Sequence, residues 1–166
     1  MMNTANRRRS AFAFASATFL AAGIFGACHN STSVTSVPDD PSIVFGPAPA
    51  LFEPGAQMAV IQGDPSVAGA PFTIRLKMPD GYKIAPHTHP TDENVTVIDG
   101  TFKVGMGNTF DENAMASVQR AGFVSAPALH AHYAKAVGAT TVQVTAIGPF
   151  AMTYINPNDL PKAAQK

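Results

Sequence analysis

A single all-β domain with one short helix is what this 166-residue sequence predicts, and three observations carry the prediction. From Phe72 to Met78 the chain alternates, with Phe72, Ile74, Leu76 and Met78 on one face and Thr73, Arg75 and Lys77 on the other. A period of two sustained over such a run marks a half-buried strand. Further β-rich runs follow one another with turn residues between them, the pattern of a sandwich or barrel. The 14 Pro and 13 Gly punctuate a chain that is 46% apolar, which is too hydrophobic and too weakly charged for a disordered polymer.

Composition also narrows function. Charged residues make up 13% of the chain, about half the usual quarter, and 11 basic side chains balance 11 acidic ones. A nucleic-acid binder would carry a basic excess on one face, so nucleic acid is not an expected partner. The single cysteine excludes a disulfide framework and a multi-cysteine metal site.

In chain order, residues 1–27 read as a secretory signal. Arg7, Arg8 and Arg9 form a positive start, Ala11 to Ala27 follow without a charge, and Gly26-Ala27 close the segment with small residues. The apolar stretch is short and rich in Ala and Ser for a membrane span, which needs about 20 apolar residues. Ile24-Phe25-Gly26-Ala27-Cys28 resembles a bacterial lipoprotein lipobox, which implies lipidation of Cys28 and a periplasmic, membrane-anchored protein. Arg8-Arg9-Ser10 also resembles part of a twin-arginine signal, so the export route stays open. Residues 28–44 read as a Ser/Thr/Pro-rich tether, 45–158 as the folded domain and 159–166 as a tail.

Within the domain, Met58 to Gln62 and Phe72 to Met78 are the first expected strands, the second ended by Pro79-Asp80-Gly81. Val95 to Ile98 meets Asp99-Gly100, a dipeptide favoured in two-residue hairpins, and Thr101 to Met106 is expected to return beside it. Asp111 to Gln119 is the helix candidate, with acids early and Ala, Met and Val behind. Gly122 to Ser125, His132 to Val137, Thr141 to Ile147 and Met152 to Ile155 complete the strands.

Chemistry concentrates in the histidines. His29 lies in the tether, and the other four form two His-x-His pairs, His87/His89 and His130/His132. Positions i and i+2 of a strand face the same way, so His87 and His89 can converge on one ion, and neutral imidazole is the commonest metal ligand. Glu93 follows with the same parity as Val95 and Val97, which places the carboxylate on the face that turns inward, while Asp92 points away.

These residues resemble a family. Gly81, His87-Thr88-His89, Glu93 and Gly100 match the first cupin motif at every spaced position. Gly122, Pro127 and His132 resemble the second, with Leu129 standing where the motif has Gly and His130 as a competing ligand. The stretches His87 to Val97, Gly100 to Phe102, Gly105 to Gly107, Ile147 to Phe150 and Tyr154 to Pro157 are similar to those of small single-domain bacterial cupins. The resemblance implies a jelly-roll barrel (a double-stranded β-helix) holding one metal ion through His87, His89, Glu93 and His132, and a homodimer joined at barrel edges.

Three imidazoles and a carboxylate leave two positions of a six-coordinate ion for a substrate or O₂. The donor set suits Fe or Mn first, with Zn, Ni, Co or Cu open. Gln143 is a candidate hydrogen-bond partner for a ligating histidine or an outward polar residue, and Tyr154 a pocket or packing residue. Two functions are expected from this. One is an exported, metal-dependent enzyme of dioxygenase type, or of isomerase or lyase type, acting on a small organic molecule. The other is a periplasmic lipoprotein that binds a metal or small ligand without turnover.

Overall fold

A computed structural model describes residues 40–164. The expected signal segment, Cys28, His29 and most of the tether lie outside the described residues. The described chain forms nine strands: β1 (Gly46–Pro47), β2 (Gln57–Gln62), β3 (Pro71–Met78), β4 (Lys83–Thr88), β5 (Glu93–Met106), β6 (Ala116–Gln119), β7 (Phe123–Ala126), β8 (His132–Ile147) and β9 (Thr153–Tyr154). All pairings are antiparallel.

Two long strands organise the sheet. β5 and β8 pair along nearly their whole lengths, from Asn94↔Thr145 to Met106↔His132. On its other edge β8 pairs with β3 through Thr140 to Ile147 and with β4 near His132 to Lys135. The other edge of β5 carries β7 and then β6. Each long strand thus contributes to two sets of neighbours, which curls the sheet around its apolar face.

The turn expected at Asp99-Gly100 is a bulge, and this corrects the hairpin reading. Val95 to Ile98 and Thr101 to Met106 are halves of one strand, and both pair with β8 rather than with each other. The register shifts between Val97 and Thr101, and the buried positions change from Val95 and Val97 to Phe102 and Val104. A one-residue insertion does this, since it flips every following side chain to the other face. Gly100 has φ +80, and a Cβ there would meet Ala139 O at 2.5 Å and Thr140 Oγ1 at 2.7 Å. Asp-Gly therefore reports a left-handed glycine under a bend, not a chain reversal. Buried Thr140 secures the same bend, its hydroxyl lying 3.1 Å from both Thr101 O and Gly138 O.

The helix expected over Asp111 to Gln119 is also corrected. Only Glu112–Ala114 makes a 3-10 turn, capped by the Asp111 side chain accepting from Asn113 N, and Ala116–Gln119 is strand β6. Nine residues are too few for an unsupported helix, whereas the edge of β5 along Thr101 to Val104 is open for Ala116–Gln119 to pair with it. Pro161, which the sequence places in a tail, is buried and followed by a turn at Lys162–Ala164.

The apolar faces meet inside: Phe72, Ile74, Leu76 and Met78 from β3, Val95, Val97, Phe102 and Val104 from β5, and Val142, Val144 and Ala146 from β8. Only at one end is this lining interrupted by imidazoles.

Candidate metal centre

β4 and β8 place His87 directly opposite His132 in their shared register. β4 ends at Thr88, and His89 follows just past it. Glu93 opens β5. The ring centroids of His87 and His132 are 4.3 Å apart, those of His87 and His89 4.8 Å, and those of His89 and His132 5.3 Å. All three histidines are buried, and one ring nitrogen from each lies within 4.8 Å of the others. Glu93 closes the group, with Oε1 3.6 Å from His89 Nε2 and Oε2 3.3 Å from His132 Nε2.

Backbone carbonyls decide which nitrogen faces inward. His87 Nδ1 lies 2.7 Å from Ala85 O, His89 Nδ1 2.7 Å from Ala151 O, and His132 Nδ1 3.0 Å from His130 O. A carbonyl only accepts, so each Nδ1 carries the hydrogen and each neutral ring turns an Nε2 lone pair to the centre. His87 Nε2 and His89 Nε2 are 3.1 Å apart. In these tautomers neither can donate to the other. His132 Nε2 is buried and makes no hydrogen bond, despite its closeness to Glu93. Three inward acceptors and a carboxylate with no donor among them need a cation, and a nitrogen/oxygen set of this kind fits a divalent transition-metal ion.

The electrostatics agree. Burial, then the neighbouring His132 and His89, push His87 down to about 3, so it is neutral and ready to ligate. Burial also lowers His89, against the pull of Glu93. For Glu93 burial is the largest influence and would raise it, but the three histidines together hold the carboxyl below its usual range. Burial would lower His132, and the Glu93 carboxylate outweighs it and raises the imidazole.

The other expected residues separate cleanly. His130 is exposed, its Nδ1 2.9 Å from Ala128 O, and it does not join the group. Gln143 lies on the outer face of β8 and accepts from Arg75 Nε at 3.1 Å, so it is the outward polar residue and not a support for a histidine. Tyr154 donates to Leu51 O at 2.8 Å and pairs with His87 through the backbone, outside the cavity. Asp92 points away as expected, but its Oδ1 accepts from Ala128 N at 2.7 Å and so anchors the loop leading to His132. In that loop Leu129 has φ +63. It therefore holds the left-handed conformation for which the family motif has glycine, and the turn survives the substitution.

Sequence reasoning missed the covering residues. The centre opens into a cavity of about 30 Å³ whose wall includes Phe52, Phe150 and Met152. Phe150 stacks on His89 with centroids 5.2 Å apart, and Phe52 stacks on Phe150 at 6.2 Å. The Ile147 to Phe150 stretch stood out as a resemblance, but nothing in its residues announced contact with His89.

No protein-family model and no curated protein matches the chain. Solved structures do. One is a Methylibium petroleiphilum protein proposed to be an acetylacetone dioxygenase, 16% identical, covering 78% of this chain and 89% of that one at a TM-score of 0.56. Another is an RmlC-like cupin from Shewanella frigidimarina, 11% identical, covering 66% and 86% at 0.52. The chain has the cupin fold. In this cupin barrel the candidate centre sits where β4, β5 and β8 bring their ends together, so the fold supplies the convergence that the histidine spacing anticipated.

Proposed function

We propose that this cupin holds one divalent transition-metal ion, Fe or Mn first, through His87, His89, Glu93 and His132, and that it is a metal-dependent enzyme of dioxygenase type acting on a small organic molecule. One observation carries the reading: three buried imidazoles, each locked by a carbonyl at Nδ1, turn their Nε2 atoms and a carboxylate to one point. A bound ion would supply Lewis acidity and, if iron, a place for O₂. The chain's own contributions are distinct. The carbonyls of Ala85, Ala151 and His130 orient the rings, Glu93 offsets positive charge, and the apolar wall excludes water. The proposed dioxygenase identity of the Methylibium neighbour is in keeping with this. Export and anchoring through Cys28 belong to the same proposal and rest on residues 1–28.

A second reading, non-catalytic binding of a metal or small ligand, is favoured by the lack of any proton-transferring side chain on the cavity wall beyond the four ligands, among the described residues. Metal analysis of protein purified without chelator, followed by oxygen uptake on a carbonyl and phenolic panel, separates the two. About one Fe or Mn per chain with substrate-dependent uptake supports the enzyme. Bound metal without turnover supports the binder, and no metal after reconstitution overturns the metal centre and the enzyme and leaves a binder of a small ligand.

A further inference from the structure

The wall of the cavity is unusual in what it lacks. Apart from His87, His89, Glu93 and His132, every lining residue is apolar, among them Leu76, Val95, Val104 and Val144. No Lys, Arg, Ser, Thr, Tyr, Asn or Gln side chain among the described residues lines it. A ligand carboxylate, phosphate or sugar hydroxyl lying away from the centre would lose its water and gain no partner, a cost that buried polar groups do not recover. The space is also small. A cavity of about 30 Å³ walled by aromatic and branched side chains requires the part of a ligand that extends beyond the ion to be compact.

The rings that limit it are held from both sides. The Tyr82 hydroxyl donates to Glu53 O at 2.6 Å and the Tyr154 hydroxyl to Leu51 O at 2.8 Å, which seats Phe52 between them in sequence. Phe150 is fixed by its own N–H to Pro65 O at 2.7 Å and by an edge contact with Phe72 at 5.5 Å. The two rings stack on each other and the inner one on His89.

We infer that the centre selects compact oxygen chelators, with every polar atom at the ion and a neutral apolar remainder, and that Phe52 and Phe150 set the size of that remainder. The inference rests on the proposed metal centre and narrows its substrate class. Hydrophobic walls discriminate modestly by size but strongly against an unpaired polar group, so charge on the tail is the sharper test.

The whole chain loaded with Co(II) is titrated, through its visible absorption bands, with three hydroxamates that share one chelating head: acetohydroxamate, N-hydroxyoxamate and benzohydroxamate. They carry a methyl, a carboxylate and a phenyl tail. Free Co(II) in water favours the more negatively charged probe, so a reversed order is a property of the walls. The wild type should bind acetohydroxamate at least about tenfold more tightly than either other probe, each tenfold being about 1.4 kcal/mol. In Phe150→Ala, and in Phe52→Ala one ring further from His89, benzohydroxamate should gain about tenfold while N-hydroxyoxamate stays weak. N-hydroxyoxamate binding as tightly as acetohydroxamate overturns the apolar selection, and benzohydroxamate binding the wild type equally well overturns the role of the rings. Cobalt bands that persist in His87→Ala, or never form, overturn the centre itself and this inference with it. Bands lost in His87→Ala leave the centre standing whichever way the probes rank.

Discussion

Tyr82 offers a prediction whose sign and size both follow from its surroundings. Its ring is buried at the end of the turn after β3, and its hydroxyl donates to Glu53 O at 2.6 Å, anchoring the segment that carries Phe52. Tyr82→Phe removes one hydrogen bond and leaves a carbonyl on an exposed residue, which water can satisfy, so the cost at neutral pH should be about 1 kcal/mol. Alkaline pH adds a second signature. Burial first, then the nearby Tyr154 and Glu53, raise the Tyr82 pKa well above its ordinary value. A group whose folded pKa is raised stabilises the fold fully below the unfolded value, here about 10, and that contribution is lost as pH rises. Above pH 10 the unfolded chain releases this proton and the folded chain keeps it, so stability should fall by about 1.4 kcal/mol per pH unit for this tyrosine. Tyr154, pushed up to about 12 by burial and by Glu53 and Asp159, adds a similar slope until it ionises. Guanidinium unfolding of wild type and Tyr82→Phe at intervals from pH 7 to 12 reads both effects. The variant should start about 1 kcal/mol lower, and the gap should close and then reverse as pH rises past 10. Parallel curves across that range would refute the account of Tyr82 as a buried, neutral anchor.

Other expectations concern the centre and its supports. His87→Ala, His89→Ala and His132→Ala should each reduce metal content from about one per chain to a small fraction, with His130→Ala unchanged; loss in His130→Ala would place the wrong histidine in the site. At Leu129, φ +63 tolerates Asn far better than a β-branched side chain, so Leu129→Asn should exceed Leu129→Val in stability by about 1–2 kcal/mol in thermal unfolding. A Cβ at Gly105 would strike the buried Tyr133 ring, so Gly105→Ala should cost about 1–3 kcal/mol. Because Tyr133 adjoins His132 in β8, the same variant should also weaken metal binding, which dialysis against labelled metal would check.

The all-β class, the alternation of β3 and the shared facing of His87 and His89 were legible in the sequence as parity, whereas Glu93 and His132 joined them as ligands through the resemblance to the two cupin motifs. Side chains two apart in an extended chain share a face, and no tertiary knowledge is needed to see which residues line up. Parity could not separate His132 from His130, since the two are two positions apart and share a face in an extended chain; the spacing from Pro127 in the second motif favoured His132. Local signals misled where one local conformation serves two architectures. A left-handed glycine suits a hairpin and a bulge alike, and only the pairing of both halves of β5 with β8 decides for the bulge at Gly100. Acids followed by Ala and Val suit a short helix, but the open edge of β5 recruits Ala116–Gln119 as a strand. Gln143 could have faced either way until Arg75 on β3 was found beside it. What only the tertiary structure decided is contact between distant segments. The carbonyl of Ala151 reaches His89 across 62 positions, and Phe52 and Phe150 cover the centre from opposite ends of the domain. Periodicity carries no information about such meetings, since they arise from the closure of the whole sheet.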